Sequence, residues 1–138
     1  MRAILLGLSV VLPLALGACQ SMASGEDFAR AAGGRVWFAE AIGGRDVVDG
    51  TRVTLKFEDG RVNGRAGCNS YGGKAEINGA QLKISMLIST KMACMAPGVM
   101  EQESRYLNAL EGATRGEVRH DGALVITTGR GAIVFREE

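Results

Sequence analysis

The side chains in this sequence that are best suited to chemistry belong to three cysteines and a single histidine, His120. Cys68 and Cys94, with one distant histidine, leave a zinc site a ligand short and match no close ligand spacing. A cysteine nucleophile has no histidine nearby in the sequence to activate it. The favoured role for Cys68 and Cys94 is a disulfide or a buried thiol pair, with redox and metal roles as the alternatives. We expect no cofactor and no metal.

Cys19 stands in a different setting, because it follows a charged start and an apolar run. Arg2 supplies the positive charge, and the uncharged segment 3–16 is shorter than the roughly 20 apolar residues that cross a bilayer. These features predict a cleaved secretory signal peptide over residues 1–18. Leu16-Gly17-Ala18-Cys19 resembles the bacterial lipobox, which implies lipidation of Cys19. An ordinary signal peptide with an incidental cysteine is the alternative.

The lipobox resemblance also implies a location. Gln20, rather than Asp, follows the cysteine, and in Gram-negative lipoproteins this points to the outer membrane. We therefore expect a periplasm-facing protein held to the membrane by an N-terminal lipid anchor. The small and polar residues from Gln20 to Gly34 are typical of a flexible tether, with a helical turn of Phe28 and its flanking alanines as the alternative there. The predicted division is therefore 1–18 signal peptide, 19–34 lipidated cysteine and tether, and 35–138 globular domain.

Composition narrows the classes of function. The 138 residues carry 16 Lys plus Arg against 15 Asp plus Glu, a formal net charge of +1. This balance provides no basic field for nucleic acid, so we expect no nucleic-acid partner. The length allows one domain.

The domain sequence predicts short antiparallel strands. Thr51 to Glu58 alternates polar and apolar residues, Asp59-Gly60 is typical of a tight hairpin, and Arg61 to Ala66 is the return strand. Further strands are predicted at Val36–Ala39, Lys74–Ile77, Gln81–Met86, Gly116–His120, Ala123–Thr128 and Ala132–Arg136.

Pro97 to Glu111 is the exception and predicts a helix that ends at Gly112. The predicted fold class is therefore α+β, mostly antiparallel β, with a small partial β-barrel or curved sheet covered by one helix.

The motifs also resemble a known family. Gly67-Cys68-Asn69-Ser70-Tyr71-Gly72-Gly73, Thr90-Lys91-Met92-Ala93-Cys94 and Met100-Glu101-Gln102-Glu103, in this order after Trp37, look like those of the META domain, the HslJ-like family. The resemblance covers the region from Arg35 to Glu138. It implies a mostly β fold in bacterial envelope lipoproteins linked to heat shock and antibiotic tolerance, and it transfers no catalytic residue. The fold is also similar to that of secretin pilot lipoproteins, whose cracked barrel holds lipid and a partner peptide.

The candidate binding or structural residues are Asn69, Tyr71, Met92 and Glu103. Asn69 is expected to cap a turn, Tyr71 to bury its ring, and Glu103 to be solvated or to cap a backbone group. The four methionines between residues 86 and 100 are expected to fill the core, with an apolar groove as the alternative.

Three functions are compatible with these observations. The favoured function is a non-enzymatic outer-membrane lipoprotein that supports envelope stress tolerance or envelope protein assembly by binding a lipid or protein partner. The alternative is a small periplasmic inhibitor, similar to lysozyme inhibitors, that inserts the loop Asn69-Ser70-Tyr71 into a catalytic cleft. An enzyme is the least favoured, because the sequence has no paired acidic motif and no nucleophile elbow.

Overall fold

The computed structural model describes residues 26–138, with side chains described from Phe28 onward. This part of the chain forms two helices and nine strands. In chain order they are α1 (Glu26–Ala32), β1 (Trp37–Ile42), β2 (Arg45–Asp46), β3 (Thr54–Glu58), β4 (Arg61–Arg65), β5 (Ser70–Asn78), β6 (Gln81–Ser89), α2 (Val99–Glu111), β7 (Ala113–Val118), β8 (Leu124–Thr128) and β9 (Gly131–Glu137).

Antiparallel pairing closes the sheet into a barrel of eight strands. Each strand from β3 to β8 pairs with the next along the chain, and β1 pairs with β3. Strand β9 returns to pair with β1, from Trp37 opposite Glu137 to Ile42 opposite Ile133. The two-residue strand β2 pairs with β1 outside the ring. The mostly antiparallel β class is confirmed, and the predicted small barrel is closed rather than partial, because the β1–β9 pairing completes the ring.

One seam of the ring is much thinner than the others. Strand β6 pairs with β5 along its length, but it meets β7 through one residue pair, Gln81 with Arg115, and through a hydrogen bond from Gly116 N to Ala80 O of 2.9 Å. Within residues 26–138, the outer edge of β6 beyond Gln81 has no strand neighbour, and helix α2 packs beside it.

Helix α1 is a second helix, and it lies in the segment that the sequence predicts to be a tether. Phe28 and Ala32 are buried, and the Phe28 ring lies edge-on to Phe57 at 5.9 Å between centroids. Trp37 Nε1 donates to the carbonyl of Ala32 at 2.9 Å, which joins α1 to the start of β1. The tether prediction is therefore wrong for residues 26–34, because apolar contacts hold this segment against the barrel. Residues 1–25, including Cys19, lie outside the described residues.

Helix α2 lies close to its predicted position and ends at Gly112, as predicted. It begins after Gly98, whose φ of 78° is the left-handed conformation that glycine adopts without strain. Its buried face carries Val99, Gln102, Glu103, Tyr106, Ala109 and Leu110. None of the described helices is long and apolar enough to cross a membrane.

Large apolar side chains fill the barrel interior. The largest fully buried ones include Trp37, Tyr106, Phe135, Ile42 and Leu55. The four methionines do not join them, so the prediction that they fill the core was wrong. Their exposed fractions are 78% for Met86, 56% for Met92, 92% for Met95 and 36% for Met100.

The outward position of Met86 has a local backbone cause. Its φ of 55° coincides with a shift in the β5–β6 register between Gly72 and Lys74, which is a β-bulge. A bulge interrupts the alternation of side chains, so Leu87 is half-buried while Met86 and Ile88 face solvent.

Candidate functional site

The turn between β4 and β5 is held by a buried carboxylate from α2. Glu103 Oε2 accepts hydrogen bonds from the backbone N–H groups of Cys68 at 3.2 Å and of Asn69 at 2.7 Å. Its Oε1 accepts from Asn69 Nδ2 at 2.6 Å. Glu103 is 5% exposed, so these three donors replace the water that would otherwise solvate the carboxylate.

Asn69 links the β4–β5 turn to the loop that follows β6. Its Oδ1 accepts from Met92 N at 2.7 Å and from the Thr90 hydroxyl at 2.9 Å, and its Nδ2 also donates to Met92 O at 3.0 Å. The buried amide therefore fixes both backbone polar groups of Met92. The Met92 side chain points away from the cluster and is exposed.

The same loop is closed by a disulfide. Cys68 and Cys94 are bonded, with their Cα atoms 6.0 Å apart. Cys68 is buried and Cys94 is half-buried. The bond and Asn69 together tie loop 90–94 to the β4–β5 turn at two points.

Gln102, which precedes Glu103 on α2, holds the loop on the other side of the helix. It is fully buried, its Oε1 accepts from Val48 N at 2.6 Å, and its Nε2 donates to the Thr51 hydroxyl at 2.9 Å. Gln102 and Thr90 both stand within the sequence motifs, but neither carried a predicted role. The signal available in the sequence was a pair of adjacent polar residues, Gln102 and Glu103, within a helix that buries one face.

One turn further along α2, two tyrosines meet inside the barrel. The hydroxyls of Tyr71 and Tyr106 are 2.7 Å apart, and Tyr71 donates to the carbonyl of Thr54 at 2.9 Å. Burial raises the pKa of both phenols well above the ordinary value of 10.0. Both therefore remain neutral hydrogen-bonding groups at physiological pH.

This cluster is arranged to hold loops in place. Glu103, Asn69 and Gln102 direct their polar atoms to backbone groups and to the Thr51 and Thr90 hydroxyls, and Glu103 and Asn69 also bond to each other. The structure brings Asn69, Tyr71, Glu103 and both cysteines to one end of the barrel, as the motif order suggested, and it leaves only the backbone of Met92 within the cluster. Asn69 and Tyr71 are 1% and 5% exposed. The inhibitor-loop prediction was therefore wrong for these two residues, because they point into the fold and cannot enter a cleft.

An open groove runs between the free edge of β6 and helix α2. It has a volume of about 470 Å³. Leu87, Ile88 and Leu107 supply its apolar wall, and Lys91 and Glu111 add one charge of each sign. Its remaining lining is Ser89, Ser104 and Asn108. The exposed side chains of Met86 and Ile88 lie on β6 beside it.

Neither His120 nor the carboxylates build a metal centre. His120 is exposed beside the turn at Asp121 and Gly122. Among residues 26–138, no three His, Cys, Asp or Glu side chains converge as a metal site.

A small closed antiparallel barrel with a helix packed beside β6 and against β9, β1 and β8 defines the structural class. The META domain family matches residues 30–138, which is well over half of the chain. The chain belongs to the META domain family.

Solved structures share this fold at low sequence identity. The NMR structure of a protein from Burkholderia xenovorans aligns with a TM-score of 0.65 and 20% identity, over 100% of this chain and 99% of that chain. A second NMR structure aligns with a TM-score of 0.62 and 18% identity, over 75% of this chain and 88% of that chain. No curated protein matches the sequence.

Proposed function

We propose that this META domain protein is a non-enzymatic, periplasm-facing outer-membrane lipoprotein that binds a partner protein. The binding would support envelope stress tolerance, to heat or antibiotics, or envelope protein assembly. The observation that carries this proposal is the groove between β6 and α2, where an unpaired strand edge lies beside exposed apolar side chains. Such an edge attracts extended segments of other chains.

The filled interior favours a protein segment over an acyl lipid. Tyr106, Phe135 and Trp37 occupy the centre of the barrel, so an acyl chain would have to displace them. The groove is on the surface, and five of its eight lining residues are polar or charged. An extended peptide provides both main-chain hydrogen bonds for the β6 edge and alternating side chains for Leu87 and Leu107.

The position of Cys19 supports anchoring at one end of the barrel. Six residues, 20–25, separate Cys19 from helix α1. Even fully extended, they span at most about 20 Å. Helix α1 packs near the turns that join β3 to β4 and β5 to β6, whereas the Cys68–Cys94 bond lies at the other end. Anchoring would therefore place α1 toward the membrane and the disulfide end toward the periplasm.

The side-chain cluster around Glu103 supports a binding role rather than catalysis. Its carboxylate and amides are fully used in holding backbone groups. A general acid or base needs a free proton site within reach of a substrate, and this carboxylate is committed to three donors.

A substitution on β6 tests the groove. Ile88→Arg adds a charge and removes the exposed apolar side chain, so it should abolish rescue of heat or antibiotic tolerance in a strain that lacks this protein. Val36→Arg is the matched control, because Val36 is also an exposed apolar residue, at 45%, and precedes β1 on the opposite side of the ring. Equal rescue by both variants at equal protein levels would contradict the groove proposal.

Anchoring is tested separately. Cys19→Ser should prevent acyl labelling. The chain should also be lost from the outer-membrane fraction, whether or not its signal peptide is cleaved. Retention of acyl label by Cys19→Ser would contradict lipidation at this residue.

A further inference from the structure

Three exposed thioethers lie close together in the sequence at the disulfide end of the barrel, two on a loop and one on the helix turn that follows it. Met92 and Met95 are in the loop that joins β6 to α2, and Met100 is in the first turn of α2. Their exposed fractions are 56%, 92% and 36%. An exposed methionine does not gain the stabilisation of apolar burial. Packing within the domain therefore does not explain why three exposed methionines occur so close together in the chain.

The backbone that carries these methionines is held in place on both sides. Asn69 binds both the N–H and the carbonyl of Met92, at 2.7 Å and 3.0 Å. Cys94 lies between Met92 and Met95 and is fixed by its disulfide to Cys68. The loop therefore presents its side chains from a fixed frame, which lowers the entropic cost of binding a ligand.

The third thioether already folds back onto this loop. Met100 Sδ accepts a hydrogen bond from Cys94 N at 3.5 Å. Standard backbone dimensions place the Cys94 nitrogen at most about 5 Å from the Met95 Cα and at most about 6 Å from the Met92 Cα. A methionine side chain has three rotatable bonds, and the site proposed below requires Met92 and Met95 to turn their sulfurs toward the Met100 sulfur.

The chemistry of these donors selects the ligand. Thioether sulfur is a soft, neutral donor, and soft sulfur donors favour Cu(I) over hard cations. The two cysteines are locked in the disulfide, so they offer no thiolate for zinc. The neighbouring cation, Lys91, donates from its Nζ to Ser89 Oγ at 3.4 Å, which directs its charge back along β6 and away from the loop.

We propose that Met92, Met95 and Met100 form a binding site for Cu(I), which three thioether sulfurs hold at the disulfide end of the barrel. The site is separate from the groove that carries the proposed function, and it does not require that function.

A competition titration tests the site. Cu(I), kept reduced with ascorbate and presented as a bicinchoninate complex, is added to the purified full-length chain in detergent. The chain carries Cys19→Ser, so that no free thiol competes. We expect one tightly held Cu(I) per chain, and its loss in the variant with Met92→Leu, Met95→Leu and Met100→Leu. Leucine has a similar volume and lacks sulfur, and circular dichroism reports whether each variant is folded.

Met86→Leu is the matched control, because Met86 is exposed on the same barrel but lies outside the loop. It should leave Cu(I) binding unchanged. In a chain with ¹³C-labelled methionine methyl groups, Cu(I) or Ag(I) should shift the resonances of Met92, Met95 and Met100 and not that of Met86.

The pH dependence provides a further distinction. Thioethers do not titrate, so Cu(I) affinity should be equal at about pH 5 and pH 8, whereas a site built on His120 or on carboxylates would weaken in acid. Absence of Cu(I) binding, binding retained in the triple variant, or binding lost at low pH would each overturn the proposal.

Discussion

Glu103 illustrates how one side chain can determine a local structure. A buried carboxylate is costly unless several donors replace its water. Here the backbone N–H groups of Cys68 and Asn69 and the Asn69 amide do so. Because Asn69 then holds Met92, loss of the carboxylate would loosen two loops.

Glu103→Gln should lower the free energy of unfolding by about 2–3 kcal/mol, because an amide loses one acceptor and turns N–H groups toward buried donors. Chemical denaturation of the purified protein measures the change. Glu101→Gln, at an exposed position in the first turn of the same helix, should change stability by less than about 0.5 kcal/mol. Equal effects of the two substitutions would refute the anchoring role of Glu103.

The tyrosine pair predicts loss of stability in alkali. The chain has two tyrosines, Tyr71 and Tyr106, and burial raises the pKa of both above 10.0. Above that pH the unfolded chain loses protons that the folded chain retains, so the free energy of unfolding should fall, by up to about 2.7 kcal/mol per pH unit for two groups. Below pH 10.0 this contribution is constant.

Absorbance at the tyrosinate band should therefore stay flat past the ordinary phenol pKa and rise only as the protein unfolds. Tyr106→Phe should make the fall in stability with pH less steep. Titration of either phenol near its ordinary pKa in the folded protein would contradict this account.

At the residue scale, the sequence identified members of the cluster but not the directions of their side chains. The motifs drew attention to Cys68, Asn69, Tyr71 and Glu103, and the suggestion that Glu103 caps a backbone group agrees with the structure. The outward position of Met86 depends on a bulge at φ 55°, and its residue type carries no signal for that backbone conformation. Methionine fills irregular cores and also forms adaptable apolar binding surfaces, so pattern alone could not decide its place.

At the element scale, helix α1 is the part of the fold that composition concealed. Small and polar residues surround Phe28, which gives the segment the appearance of a linker. The Phe28 ring instead fills the space above Gly116, where a Cβ atom would lie 2.2 Å from the Phe28 Cζ. A single aromatic contact with a glycine on a distant strand has no local sequence signature.

Phe28→Ala should lower the free energy of unfolding by about 3–5 kcal/mol, because it removes a buried ring and leaves a cavity between α1 and β7. Thermal and denaturant unfolding measure the loss. Ala29→Ser, at the exposed neighbouring position, is the control and should have a small effect. If Phe28→Ala were as mild as the control, α1 would be a tether after all.

Hairpins and the helix were predictable because their signals are local. The turn at Asp59 and Gly60, the start of β4 at Arg61 and the end of α2 at Gly112 follow the sequence closely. The β5–β6 turn is displaced by one residue, since Asn78 pairs with Gln81 and leaves Gly79 and Ala80 between them. Closure of the ring was not predictable, because it pairs β1 with β9 across nearly the whole domain.

At the scale of the whole molecule, the disulfide joins the β4–β5 turn to the loop that follows β6, just beyond the end of the β5–β6 ladder. Removing it with Cys68→Ser and Cys94→Ser should cost roughly 3–4 kcal/mol on the chain-entropy account. The intact mass of the Cys19→Ser chain should lie two hydrogens below that of its reduced form. An unchanged mass on reduction would show free thiols and remove this contribution.

The two ends of the barrel differ in what they present. Helix α1 covers the end that leads to Cys19, while the disulfide and the exposed methionines are at the far end. The groove lies along the side, where β6 separates from β7. This arrangement would leave the groove accessible to a periplasmic partner while the protein is anchored.

Site-specific photocrosslinking in living cells tests partner binding in the groove most directly. A photoreactive side chain is placed at Ile88, Ser104 or Asn108 around the groove, and at Val36 or Thr127 as exposed controls elsewhere on the barrel. The account predicts one shared protein adduct from the three groove positions and none from the controls, with loss of the adduct when Met86→Arg is added beside the groove. Adducts of equal strength from the control positions, or the absence of a protein adduct from all three groove positions, would contradict it.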